Sequence, residues 1–172
     1  SLAENFGDGV VAPVFWYALF GLPGMLVCKA INTMDSMIGH QTPRHRAFGR
    51  WTAYADTALN FFPARFAGLF LALAAAFVRR TRARIWPALK VMLRDAGKHR
   101  SVNAGWPEGA MAGALDLALA GPRRYREMTA DDPWIGDGTA QATAADIQRG
   151  LRLYVAACFV CAGFVGLLAL AR

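Results

Sequence analysis

At 172 residues, 55% of them hydrophobic and only 18% charged, the chain has room for one domain and is poorer in charge than an average soluble one, where about a quarter of residues are charged. The net charge of +7 does not mark a nucleic-acid binder, because the bases stand beside apolar segments, above all in Arg79-Arg80-Thr81-Arg82-Ala83-Arg84. Such a cluster reads as a cytoplasmic membrane flank, with an anionic-ligand patch as the alternative. The cysteines, Cys28, Cys158 and Cys161, all lie in apolar runs, so Cys158-x-x-Cys161 reads as a pair of packing residues rather than a redox or metal motif.

Residues 1–9 are polar. Ser1-Leu2-Ala3-Glu4-Asn5 lacks an initiator Met and a charged leader, so the chain does not begin with a signal peptide and is expected to be a fragment. Residues 10–28 are uncharged and interrupted at Gly21-Leu22-Pro23-Gly24. They predict either a re-entrant hairpin of two half-length helices or one kinked span; broken backbone at membrane depth needs protein or a wet cavity around it. Residues 29–39 predict an amphipathic helix and 40–47 a basic loop with Pro43. A helical region follows over 48–78, with Pro63 near the start of its most apolar part. Residues 85–100 carry the period of a helix lying along the membrane, with Ile85, Leu89, Met92, Leu93 and Ala96 opposite Lys90, Arg94, Asp95 and Lys98. Pro107 is placed to open a helix running to Ala120 and stopped by Gly121-Pro122. A polar loop over 122–145 leads into a last span, Asp146 to Ala171, whose uncharged core is about the length that crosses a bilayer. Nothing alternates with period two, so no β-sheet is expected. The fold class is all-α: a polytopic helical membrane protein with broken or re-entrant helices and amphipathic interfacial helices, forming one membrane-embedded domain over 1–172.

Lys29, Asn32, Asp35 and Ser36 recur at helical spacing on one face, opposite Ile31, Met34 and Ile38. A cation, an amide, a carboxylate and a hydroxyl together suit phosphate and a hard cation; a solvated helix face is the plainer reading. Glu4 and Asp8 stand one turn apart and could share Mg²⁺ or divide acid and base roles, or simply begin a helix. Arg65 heads an apolar helix, where it either snorkels to the interface or grips an anion from a polar cavity. In Lys98 to Glu108, Gly105, Gly109 and Gly113 recur every four residues and predict a small-residue helix face. Asn103, Trp106 and Glu108 remain near a helix N-terminus, whose free N–H groups favour anions; Glu108 could equally be an ordinary first-turn acid and Trp106 an interface anchor. His99 has bases on both sides, which argues against a metal ligand, and His40 and His45 lack a ligand pattern.

These stretches, in this order, resemble the CobD/CbiB family of cobalamin-biosynthesis membrane proteins, adenosylcobinamide-phosphate synthase. The likeness runs through Ser1 to Asn5, Asp8 to Pro13, Asn32 to Met37, Phe48-Gly49, Asn60 to Arg65, Arg94 to His99, Asn103 to Glu108, Met111 to Leu115 and Pro133 to Gly138. It covers essentially this whole chain and only the later part of the family's length. Where the family pattern has an Arg and a second Asp around Asp56, this chain has Tyr54 and Thr57, and it has Phe6 where a small hydroxyl residue is common. The resemblance implies ATP- and Mg²⁺-dependent amide synthesis between adenosylcobyric acid and (R)-1-aminopropan-2-ol or its O-phosphate, giving adenosylcobinamide or its phosphate. ATP would activate the corrinoid propionate and the amine would displace phosphate. The candidate catalytic residues are Glu108 as base, Lys98 toward phosphate and Asn103 as orienter. Lys29, Asn32, Ser36 and Arg65 are the candidates for holding ATP, and Asp8, Asp35 and Glu4 those for Mg²⁺. The implied setting is a multi-pass protein of the bacterial inner membrane with a cytoplasmic site, in contact with lipid, corrinoid and amine and open to other cobalamin-assembly membrane proteins. The rival readings are a non-catalytic signalling or structural protein on the same scaffold, like AmpE, and a transporter, suggested by broken helices and Arg65. The polar groups gather beside the membrane rather than at mid-span, which speaks against transport.

Overall fold

The structure is a computed structural model and describes residues 1–38, 46–78, 85–125 and 128–171. Most of the basic loop expected at 40–47, with both of its histidines, and the Arg79–Arg84 cluster lie outside the described residues. A short helix α1, Leu2–Phe6, passes through a wider π-helical turn, Gly7–Val11, into α2, Ala12–Ile38. α2 is broken at Gly21 (φ 65°, ψ −155°), a backbone conformation that essentially only glycine adopts. The chain folds back there. A Cβ added at Gly24 would stand 2.6 Å from the Trp16 carbonyl oxygen and 2.8 Å from Phe20 Cβ. Of the two readings of 10–28, the molecule therefore has the hairpin. Gly21 supplies the turn, Pro23 sits in the first turn of the returning arm where no N–H is needed, and Gly24 lets the arms touch.

The helical region expected over 48–78 is two helices, α3, Arg46–Leu59, and α4, Phe61–Val78, which meet at Asn60. Pro63 has no N–H to return to the Leu59 carbonyl. That oxygen instead accepts the Trp16 indole N–H at 3.1 Å, which ties the hairpin to the α3–α4 junction.

α5, Ile85–Asp95, ends in a 3₁₀ turn, Ala96–Lys98. Its buried face is Ala88, Val91, Met92 and Asp95, while Leu93 is 68% exposed. The expected assignment of these last two residues to dry and wet faces is thus reversed, because Asp95 is neutralised by partners that spacing does not reveal. α6, Gly105–Leu115, packs antiparallel on α5 through its glycines. Added Cβ atoms at Gly105, Gly109 and Gly113 would stand 2.1 Å from Ala96 O, 2.9 Å from Met92 Cα and 2.3 Å from Pro87 O, so the small-residue face meets bare backbone as expected. The helix stops at Leu115, short of the expected Ala120. Asp116 takes a left-handed conformation (φ 59°), which Asp tolerates better than most residues, and Leu117 N–H returns to Ala112 O at 3.0 Å.

The expectation of no β-sheet needs correcting, since two small antiparallel ribbons fold within the polar segment. β1, Leu119–Ala120, pairs with β4, Trp134–Ile135, and β2, Arg123–Tyr125, pairs with β3, Met128–Ala130. Strands of two or three residues are too short to display a period. Ile135 is fully buried against Val91 and Ala112, which seats this segment on α5 and α6. Finally α7, Ala144–Leu170, opens with a capping box in which the Thr143 N–H and hydroxyl both donate to Asp146 Oδ2, at 2.9 and 2.7 Å.

α4 is the centre of the molecule. Its Ala67, Phe70, Leu71, Ala74 and Ala75 share a core with Met92, Ala110, Met111 and Ala114 on one side and Leu153, Ala157 and Cys161 on the other. All three cysteines are free, with Cys28 and Cys161 buried. The stretches Leu2–Ile38, Phe61–Val78 and Ala144–Leu170 are long and apolar enough to cross a membrane, although the first doubles back. Their outer faces expose Phe20, Leu26, Leu73, Phe77, Val155, Phe159 and Leu167, as a lipid-facing or helix-covered surface requires. The chain is an all-α polytopic membrane protein with a re-entrant hairpin.

Candidate active site

The hairpin brings the two ends of its sequence together. Glu4, Lys29, Asp35 and Asp56 all lie within electrostatic reach of Asp8. α1, the π turn and the returning arm thus share one polar patch, and α3 adds Asp56, whose Oδ1 accepts from Asn32 Nδ2 at 3.3 Å. Three further carboxylates and one ammonium act on Asp8, a local excess of negative charge. Among the described residues, no group of three or more His, Cys, Asp or Glu side chains is close enough to enclose a metal. An ion here would have to be of the open type, held by one or two carboxylates with phosphate oxygens completing its shell, rather than enclosed in an all-protein cage. Ser36 donates its hydroxyl to Asn32 O at 2.9 Å and Thr33 donates to Lys29 O at 2.8 Å, so Ser36 is back-bonded along its own helix.

A second wall comes from α6. Asn103 is buried and donates from Nδ2 to the Thr57 carbonyl at 2.9 Å, in the last turn of α3 where carbonyls lack helical partners. This bond fastens the start of α6 next to Asp56. The side-chain oxygens of Asn60 and Asn103 and Glu108 Oε2 are buried with no hydrogen-bond partner among the described residues. Buried acceptors left open in this way are uncommon, and a bound polar ligand would satisfy them. α1 packs against α6. Arg65 places its guanidinium carbon 3.5 Å from the Phe61 ring centroid and 4.6 Å from that of Trp106, and it also donates to the Phe61 carbonyl. Stacking between rings presents a planar, half-desolvated cation beside the α6 N-terminus.

Lys98 is drawn to a different place. Its ammonium lies 2.7 Å from Asp95 Oδ1. Asp95 also accepts from Nε and Nη2 of Arg94, at 2.7 and 2.6 Å, and from the Gly136 N–H at 2.9 Å. Arg94 in turn bonds Asp137 through two nitrogens, at 2.7 and 2.8 Å. The Arg94 hydrogen bonds, followed by those of Lys98 and Gly136, hold the Asp95 carboxyl well below the usual aspartate range, and Arg94 holds Asp137 down as well. This is a latch between α5 and the β4 segment, and it engages the lysine expected from the family resemblance to bind phosphate.

Three groups at the site escape sequence reasoning: Asp56, Asn60 and His99. Asp56 could have been found as the lone acid between Arg46 and Val78, and Asn60 as a polar residue one helical turn after it. His99 stands 3.6 Å from Glu108 across an irregular segment, where no periodicity points to it.

The family described as CobD/Cbib protein matches residues 1–154. Proteins named Cobalamin biosynthesis protein CobD are similar over most of this chain. That of Sinorhizobium sp. is 53% identical over 166 residues, covering 96% of this chain and 51% of the relative. That of Rhodobacter capsulatus is 54% identical over 154 residues, covering 90% and 47%. That of Brucella suis is 52% identical over 155 residues, covering 90% and 47%. The chain thus spans about half the length of these relatives. No solved structure matches it. With the family matching residues 1–154 and relatives more than half identical over at least nine-tenths of its length, the chain belongs to the CobD/CbiB family of cobalamin biosynthesis proteins.

Proposed function

We propose that the protein takes part in the ATP-dependent joining of adenosylcobyric acid to (R)-1-aminopropan-2-ol or its O-phosphate, at a site facing the cytoplasm from the bacterial inner membrane. The observation that carries the reading is the meeting of Glu4, Asp8, Lys29, Asp35 and Asp56 beside a wall that holds Asn103 and Glu108. Amide synthesis from a carboxylate needs phosphate held in place, a counter-charge for the departing phosphate and a base for the ammonium. Asp8 and Asp35, with Glu4 beside them, would hold Mg²⁺, which supplies charge neutralisation at the phosphates. Lys29 contributes a point charge to ATP, and Asn32, fixed by Asp56, orients it, with Ser36 at the edge of the same face. Arg65, stacked and partly desolvated, grips a phosphate or carboxylate oxygen. Glu108 takes the proton that the ammonium must lose before its nitrogen attacks the activated acyl carbon, and Asn103 orients the amine. Lys98 serves this site indirectly, through the latch that positions the segment leading into α6. The corrinoid and its amine are the partners; the corrinoid is large, and surface beyond these residues is needed to hold it.

Complementation tests the reading. A B12-auxotrophic strain lacking this step, given the complete gene containing this chain, should regain growth and form adenosylcobinamide or its phosphate. Asp35→Ala and Glu108→Ala should each reduce product at least 100-fold with the protein still in the membrane. Near-normal product from either variant removes that residue from the mechanism. Failure of the parent gene favours a non-catalytic member of the family.

A further inference from the structure

Glu108 is half-buried at the head of α6, with Oε2 inside the protein and no hydrogen-bond partner among the described residues. The group nearest to satisfying it is His99 Nε2, at 3.6 Å, on a side chain only 20% exposed. The other ring nitrogen is already engaged. Ser101 N–H donates to His99 Nδ1 at 2.9 Å, and the Ser101 hydroxyl oxygen accepts from Asn103 N–H at 3.3 Å and Ala104 N–H at 3.2 Å. A longer contact, 3.4 Å, runs from Nδ1 to Ser101 O; using it would turn the Nδ1 proton toward that carbonyl and leave the Ser101 N–H facing another donor. The shorter contact decides the tautomer. With Nδ1 accepting, the neutral imidazole carries its hydrogen on Nε2, and that hydrogen faces Glu108. A gap of 3.6 Å exceeds a hydrogen bond by only a few tenths of an ångström, and contacts of this kind tighten when substrate binds.

We propose that His99 is a positioning residue for Glu108: Ser101 fixes its tautomer, and its Nε2–H holds Glu108 Oε2 so that Oε1 faces the amine substrate. The inference rests on the assignment of Glu108 as the base. In the step itself one proton leaves the ammonium for Glu108, the carboxylate becomes a carboxylic acid, the neutral nitrogen's electron pair forms the C–N bond, and phosphate departs with the pair of the broken acyl C–O bond and takes the second nitrogen proton. His99 keeps its proton throughout. What it contributes is orientation of the carboxylate, which a carboxylate on a rotatable two-carbon stem would otherwise lack.

Two amide variants separate this role from a merely structural one. Glutamine places an N–H donor near the position of Nε2, whereas asparagine places its polar group near Nδ1, on the Ser101 side. In the complete gene product, purified in detergent, His99→Gln should keep kcat within about fivefold of the parent. His99→Asn should lower kcat roughly 10- to 100-fold, the scale of supporting contacts around reactive groups, with KM for ATP and corrinoid changed less than about twofold. Glu108→Gln should abolish turnover. If His99→Asn equals or exceeds His99→Gln, the imidazole serves only the Ser101 turn and the proposal fails, while an inactive Glu108→Gln leaves the base assignment standing. If Glu108→Gln turns over normally, the base assignment falls and the role of His99 falls with it.

Discussion

Asp95 is fully buried and gathers Arg94, Lys98 and the Gly136 N–H around one carboxylate. Removing a charged acceptor from such a set leaves its donors without their partner, at a cost on the order of 2 kcal/mol. The pH dependence has a definite sign. Arg94 above all depresses the folded-state value of Asp95, so the latch is at full strength above the ordinary aspartate value of about 3.9. It is lost as pH falls below that and through the depressed folded value. Asp95→Asn should therefore melt earlier than the parent at pH 7, and the gap between them should narrow as the buffer is taken below about pH 4. Thermal melts of the detergent-solubilised protein measure both. Sequence spacing places Asp95 on a wet face because an apolar period counts residue types and cannot count partners. Glu108, Asn103 and Asp35 stand out in the sequence because they are polar beside apolar runs. His99 becomes visible only when the 99–104 segment is folded against the rest, and Asp56, conspicuous as a lone acid, gains its place in the site only when α3 is folded against α2.

At the scale of elements, the helices are legible wherever glycine and proline punctuate them. Gly21-Leu22-Pro23-Gly24 announces the hairpin, and the four-residue glycine period announces the seam of α6 on α5. The ribbons and the early stop of α6 are illegible because they depend on one left-handed Asp116 and on pairing between distant residues. The seam makes a direct prediction. At Gly113 a new methyl would stand 2.3 Å from Pro87 O, whereas at Gly163 on α7 it would meet nothing within 4 Å. Gly113→Ala should lose about 1–3 kcal/mol through forced separation of two backbones. Gly163→Ala should be neutral or slightly stabilising, since alanine favours a helix by up to about 1 kcal/mol over glycine. Paired melts of the two variants check this.

For the whole molecule, the decisive property is that residues on both sides of an apolar run end on the same side. Asn5 and Ser36 are both exposed, and the hairpin places them beside one site. Asn5→Cys and Ser36→Cys, made with the half-buried Cys158 replaced by Ala, should both react with a membrane-impermeant maleimide added to the same face of the membrane. Reaction from opposite faces would rule out a single site built from Glu4–Asp8 and Lys29–Ser36. The shared face also explains why four segments far apart in sequence keep their polar residues: each supplies a wall that the others lack.

The seam between α5 and α6 has a mechanical consequence. Gly105, Gly109 and Gly113 leave no gap between the two backbones, and on α4 an added Cβ at Gly68 would stand 3.1 Å from the Trp106 carbonyl oxygen. Helices in such contact cannot slide without collision, so α4, α5 and α6 move as one block that carries Glu108, Asn103 and Arg65 at fixed separations. Across from the block, the hairpin is tied to α3 by the Trp16–Leu59 and Asn32–Asp56 hydrogen bonds, and α3 to the head of α6 by the Asn103–Thr57 bond. Under the proposed function, a substrate entering this site meets the block as its unyielding wall.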